Sequence, residues 1–244
     1  MSISNTKSIW NVLFGTTFDN ESNDLAIGND GSLYITGTTR GDLDGQSNSG
    51  LDDAFVSKFN TDGVVQWTRF VGTSKDDLGK SIAIGSDNSI YIAGYTEGYS
   101  DGEIFICKFN SDGEKQWTEF LGVVGIYSGL SKNHNVGIDI GNDDSVYITG
   151  NTLRALDGQT NSGGYDAFVS KFNSDGDKQW SKLLGSSEYE FGEDISVGSD
   201  GSIYIIGNAQ GDLDGQTNSG DYDVFVSKFN SDGNKQWTKL LGTS

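Results

Sequence analysis

Proline is absent from all 244 residues, where average usage would give about a dozen. The chain also has one cysteine, one histidine and one methionine. One cysteine excludes an intrachain disulfide. Cys107 lies in the alternating run IFICKF, where a buried structural thiol is expected. A lone histidine excludes zinc sites built on a histidine pair, and with a lone cysteine it speaks against Cys–His nucleophilic catalysis. Positive charge is scarce: 16 Lys and Arg face 35 Asp and Glu, for a net charge of −19 and a pI near 4.1. Repulsion then argues against nucleic acid and against an anionic membrane surface as partners. No apolar run is long enough to insert in a membrane as a helix, and MSISNTKSIW has no signal-peptide core.

What is present is glycine, 35 residues of it, and aromatics at 11%. Both recur at fixed spacing, the mark of a repeat. Trp10, Trp67, Trp117, Trp180 and Trp237 form one ladder. Tyr34, Tyr91, Tyr147 and Tyr204 form a second, and Phe55, Phe105, Phe168 and Phe225 a third. The Phe-to-Trp spacing is 12 in every copy. Each copy holds four short β-rich runs, A to D, separated by Asp-Gly or Asn-rich turns, which predicts a four-stranded antiparallel meander. A twisted sheet of this size cannot bury both faces alone, and radial stacking of copies solves that. The predicted fold is therefore all-β: a β-propeller of four-stranded antiparallel blades, with four full repeats plus one extra N-terminal strand. It forms one domain over 1–244, with the strand at 8–16 and repeats at about 22–73, 78–122, 136–186 and 192–244.

The blocks Y-I-x-G, DAFVSKFN-SDG and QW-x-x-x-x-G, from about residue 22 onward, resemble the SBBP-type bacterial β-propeller repeat. That resemblance implies a propeller fold and favours an extracellular or cell-surface setting, while the compartment stays unknown from the residues themselves. The strand around SIWNVLFGT reads as a spare D strand, because the last copy already carries its own, QWTKLLGTS. It leaves three arrangements open: a four-bladed ring with one strand left over, part of a larger ring, or self-association through the spare strand. Residues 157–187 and 214–244 are nearly identical, as recent duplication would leave them.

Length varies on one rim only. Tyr-to-Phe across the B–C loop is 21 residues in copies one, three and four but 14 in copy two. Trp-to-Tyr across the D–A connection is 24 except before copy three, where it is 30. Binding residues concentrate on such loops, so the B–C/D–A rim is the expected functional face. The insert VVGIYSGLSKNHN supplies Tyr127, Lys132 and His134 as candidate ligand-binding residues. A loop that only folds over a gap is the plainer account of it.

The long B–C loops suggest a metal reading. Asp42, Asp44, Gln46, Asn48 and Asp53 alternate in copy one, and Asp212, Asp214, Gln216, Asn218 and Asp223 repeat the pattern in copy four. Asp157 and Asp166 stand in copy three, with Ala155 at the first position. Hard cations take six or more oxygens, so Ca²⁺ is the candidate cofactor. Asp, Asn and Gly are equally good turn formers. No phosphate loop or dinucleotide fingerprint is present. The expected function is a non-catalytic scaffold for protein or cell-surface contacts. A glycan-binding, calcium-dependent propeller is the alternative, and a carbohydrate-active hydrolase the third reading.

Overall fold

A computed structural model describes residues 11–98, 102–123 and 135–243. Every regular element among them is a β-strand. The first blade is β1 (Asn20–Ile27), β2 (Leu33–Thr39), β3 (Asp53–Phe59) and β4 (Val65–Val71). The second is β5 (Asp77–Ile84), β6 (Ile90–Thr96), β7 (Glu103–Phe109) and β8 (Lys115–Val123). The third is β9 (Gly137–Ile140), β10 (Val146–Thr152), β11 (Asp166–Phe172) and β12 (Lys178–Leu184). The fourth is β13 (Glu190–Val197), β14 (Ile203–Ala209), β15 (Asp223–Phe229) and β16 (Lys235–Leu241). Each blade is a separate four-stranded meander, antiparallel throughout. The chain is thus a β-propeller-type repeat protein, as the spacing of its aromatics predicts.

The A–B turns show why sequence and register agree. Their third residue is Gly31, Asn88, Asp144 or Gly201, and all four adopt positive φ, between 56° and 79°. Glycine does so without steric cost, and Asn and Asp are the next most tolerant. Neighbouring turns are also tied together: the Asn29 amide donates to Asn88 Oδ1 at 2.9 Å, and the Ser86 amide to Asp144 Oδ1 at 2.9 Å.

Three seams hold the blades together, and each uses the same two faces. The back of one blade offers its Tyr and aliphatic residues, and the front of the next offers aliphatic residues and Phe. In the first seam, Tyr34, Ala54 and Val56 pack against Ile90, Ile92 and Phe105. In the third, Tyr147, Ala167 and Val169 pack against Ile203, Ile205 and Phe225. The tryptophans clamp the same seams. The indole N–H of Trp67 donates to the Ser111 carbonyl at 3.3 Å, and that of Trp117 to the Ser174 carbonyl at 3.2 Å. A Cβ on Gly113 would lie 2.8 Å from the Trp67 ring, so the next turn can approach only as glycine. Each Tyr carries a lysine ammonium over its ring, as Lys58 does on Tyr34 at 5.3 Å. Cys107 is buried in the first seam, and burial pushes its thiol up to about 11. That agrees with an inert core thiol.

Among the described residues the two end blades share no fourth seam. Val224 on the back of the last blade is 46% exposed, while its register counterparts Ala54, Ile104 and Ala167 are fully covered. On the front of the first blade, Leu25 and Ile27 are 60% and 70% exposed. The spare N-terminal segment reaches this front. Phe14 sets its ring 5.3 Å from Phe59 and 6.2 Å from Phe55. Residues 11–16 do so without joining the sheet, and residues 8–10 lie outside the described part.

Candidate functional site

The long B–C loops fold back rather than out. In each, a leucine turns inward and is buried, Leu43, Leu156 and Leu213, the last two in the seam in front of their own blade. A tight turn follows, closed by backbone bonds between Leu43 and Gln46, Leu156 and Gln159, and Leu213 and Gln216. Its second residue is Asp44, Asp157 or Asp214, each at a φ of 49–52°. In the third blade Asp157 pairs with Lys178 and bonds Ser181. In the fourth, Asp214 takes Lys235 and the Thr238 hydroxyl. Burial raises the Asp157 carboxyl, but those bonds outweigh it and hold the group below the usual range. The tucked loop therefore delivers an apolar side chain and a carboxylate into one seat.

The other loop side chains brace this fold. Asp42 and Asp212 accept the amides of Asn48 and Asn218 at 2.9 and 2.8 Å. The side-chain amides of Asn48 and Asn218 reach back to the Thr39 and Ala209 carbonyls. Asp53, Asp166 and Asp223 accept the amides of Ser49, Ser162 and Ser219 at 2.6–2.9 Å. Gln46 and Gln216 serve through their backbone in the turn. Among the described residues, no group of three or more His, Cys, Asp and Glu stands together as a metal-holding cluster. Tyr127, Lys132 and His134 lie outside the described residues.

The second blade departs from this plan. Only residues 97–102 link β6 to β7, against 40–52, 153–165 and 210–222 elsewhere. The Leu–Asp turn is missing, and the outer part of the first seam is a cleft of about 250 Å³. Its aromatic walls are Phe70, Phe105 and Phe120, and its polar groups include Thr73, Asp77, Lys115 and Thr118. Lys115 and Thr118 hold the register positions of Lys178 and Ser181, and of Lys235 and Thr238. They are the side chains that the Asp carboxylate engages in the third and fourth blades. Phe120, 39% exposed, presents its ring at the cleft.

Asp77 lines the cleft while only 2% exposed. Its Oδ2 accepts the Thr73 amide at 2.6 Å and the Thr73 hydroxyl at 2.9 Å. Burial raises its carboxyl above the ordinary range, against the bonds from Thr96 and Thr73 that lower it. Asp53 behind it is also raised, by burial first and then by the charges of Asp77 and Asp52. The sequence reading named the B–C/D–A rim, and it passed over Asp77, Lys115 and Thr118. The available signal was the seven-residue deficit in copy two combined with the Lys–Asp pairs of its sisters.

Comparison with known proteins supports the fold and adds one relative. A model of a β-propeller domain of unknown function (DUF5122) matches residues 85–115. Regulatory protein FlaEY of Caulobacter vibrioides is 26% identical over 230 residues, covering 89% of this chain. The chain spans about a fifth of that relative's length, 19%. Among solved structures, the α-L-arabinofuranosidase Arb93A of Fusarium graminearum superposes with a TM-score of 0.54 at 11% identity. The match covers 94% of this chain and 69% of the enzyme. A gluconolactonase of Xanthomonas campestris gives 0.46 at 12% identity, over 88% of this chain and 60% of that one.

These neighbours correct the function expected from the sequence. The expectation of a non-catalytic scaffold, and of a chain that is no enzyme, stands against a solved propeller of the same fold that is an enzyme. In the sequence no carboxylate stands out among so many aspartates, whereas burial in the fold can set one apart. Likeness at this identity shows the fold alone. The residues of the cleft must therefore carry any catalytic argument.

Proposed function

We propose that the chain is a carbohydrate-active propeller of SBBP-type repeats, with the cleft between the first and second blades as its active site. One observation carries this: a carboxyl group raised by burial, Asp77, forms part of the wall of the one described seam whose Leu–Asp plug is missing. A general acid must still be protonated near working pH, and burial with few compensating donors achieves that. Hydroxyls from Thr73, Thr96 and Thr118 suit a polyhydroxylated ligand, and the exposed ring of Phe120 suits the apolar face of a sugar.

In this reading Asp77 passes its proton to the bridging oxygen of a glycoside as the sugar C–O bond breaks. Water adds its hydroxyl to the sugar carbon and returns a proton to the carboxylate. The test is a panel of 4-nitrophenyl glycosides, the arabinofuranoside included, with wild type and Asp77→Asn. Turnover that falls by about 100-fold or more in the variant is the expected result, the usual scale for loss of a general acid. Turnover equal in the two proteins, or none in wild type, would overturn the assignment.

A further inference from the structure

The empty seat in the first seam has two filled counterparts, and their occupants define what fits it. In the third and fourth blades the seat holds a leucine side chain and, one residue on, an aspartate carboxylate. The leucine joins the seam core with Phe168 or Phe225, and the carboxylate meets a lysine and a hydroxyl. The second blade keeps every receiving group: Phe105, Lys115 and Thr118 line the cleft. Its own connection, 97–102, carries no Leu–Asp pair. In a chain of net charge −19, a cation whose two counterparts are neutralised in place is a local exception.

We infer that the cleft takes an acidic sugar, a uronate, whose carboxylate sits where Asp157 and Asp214 place theirs. Lys115 and Thr118 hold the carboxylate, and Phe105 and Phe120 receive the less polar ring face. The inference builds on the reading of this cleft as the active site and adds the substrate class. Charge-assisted bonds to a carboxylate are the stronger kind, so the acidic group is the main selectivity handle. The same lysine would hold a neutral sugar only through an ordinary hydrogen bond.

The experiment is calorimetric binding to the full chain, with D-glucuronate and D-galacturonate against glucose and galactose. Uronates are expected to bind at least tenfold more tightly than their neutral parents. Lys115→Gln, an exposed position, should remove that preference while circular dichroism stays unchanged. Replacing residues 97–102 by the 153–165 loop should refill the seat and abolish binding. Equal affinity for acidic and neutral sugars overturns the inference, as does a preference that survives Lys115→Gln. Binding of the peptide Leu-Asp-Gly-Gln without binding of uronates would also overturn it, in favour of a peptide ligand. The outcome is separable from that of the catalytic reading. Asp77-dependent hydrolysis of neutral glycosides alone would sink the uronate and keep the acid. Uronate binding without any hydrolysis would do the reverse.

Discussion

The first and third seams are built from the same sheet faces, yet one is plugged and the other open. In the third seam Leu213 is buried against Phe225 and Phe229, and Asp214 closes over Lys235. In the first, Phe105 and Lys115 are in place, and the plug is absent because copy two is seven residues shorter. The comparison separates two jobs of one loop. Its glycines and Asx residues make it fold back, and its Leu–Asp pair completes a core. Deleting the loop leaves the blade intact, since the sheet register does not depend on it, but turns core into cleft. A repeat protein can make a site this way without inventing any residue.

The sharpest way to break the comparison is Leu213→Ala. Removing a fully buried leucine from a plugged seam should cost about 3 kcal/mol, read as a shift in urea midpoint. Phe120→Ala at the open seam should cost under about 1 kcal/mol, because that ring is already 39% exposed. Equal losses would mean that the first seam is as tightly packed as the third.

Gly185→Ala should come next, at about 2 kcal/mol, since a Cβ there would stand 2.2 Å from Asp166 Oδ1. Gly72 and Gly242 meet Asp53 and Asp223 in the same way. All three blades with the long loop therefore need this glycine, and thermal melts of the three alanine variants should fall together.

A smaller effect should appear in pH dependence. Asp166 is raised by burial first, with the Ser162 bond opposing and the Glu190 charge assisting. The folded state then holds its proton to higher pH than the unfolded chain does. Its contribution is fully present below the ordinary carboxylate range and is lost as pH rises through the raised value. Asp166→Asn removes that loss. The variant should gain on wild type as pH rises from 4 to 7. A flat difference across this window would contradict the burial assigned to Asp166.

The smallest expected change is for Lys178→Gln. Its pair with Asp157 is partly exposed, with side-chain accessibilities of 38% and 30%, so about 0.5 kcal/mol is at stake. The same substitution at Lys115 should leave stability unchanged, because among the described residues no carboxylate pairs with it. High salt should weaken the first pair and leave the second position indifferent.

The blade architecture was legible in the sequence because it is local. Strand, turn and strand alternate within about 50 residues, and each turn announces its positive-φ position through Gly, Asn or Asp. Phe, Tyr and Trp recur at fixed offsets because register fixes which face each occupies. Loop lengths named the variable rim for the same reason. What each loop does was not legible. Alternating Asp, Gln and Asn in 42–53 reads as well for a cation as for a turn, and only the folded loop shows Asp42 bound to the Asn48 amide and Leu43 buried. Asp77 has no local signal at all: it is one acid in an acidic chain until the seam buries it. The sequence by itself determined the number of repeats and the strand order within each. Only the tertiary structure decided which polar groups lose water, because burial depends on what a distant loop covers, and a carboxyl changes its chemistry when that cover closes.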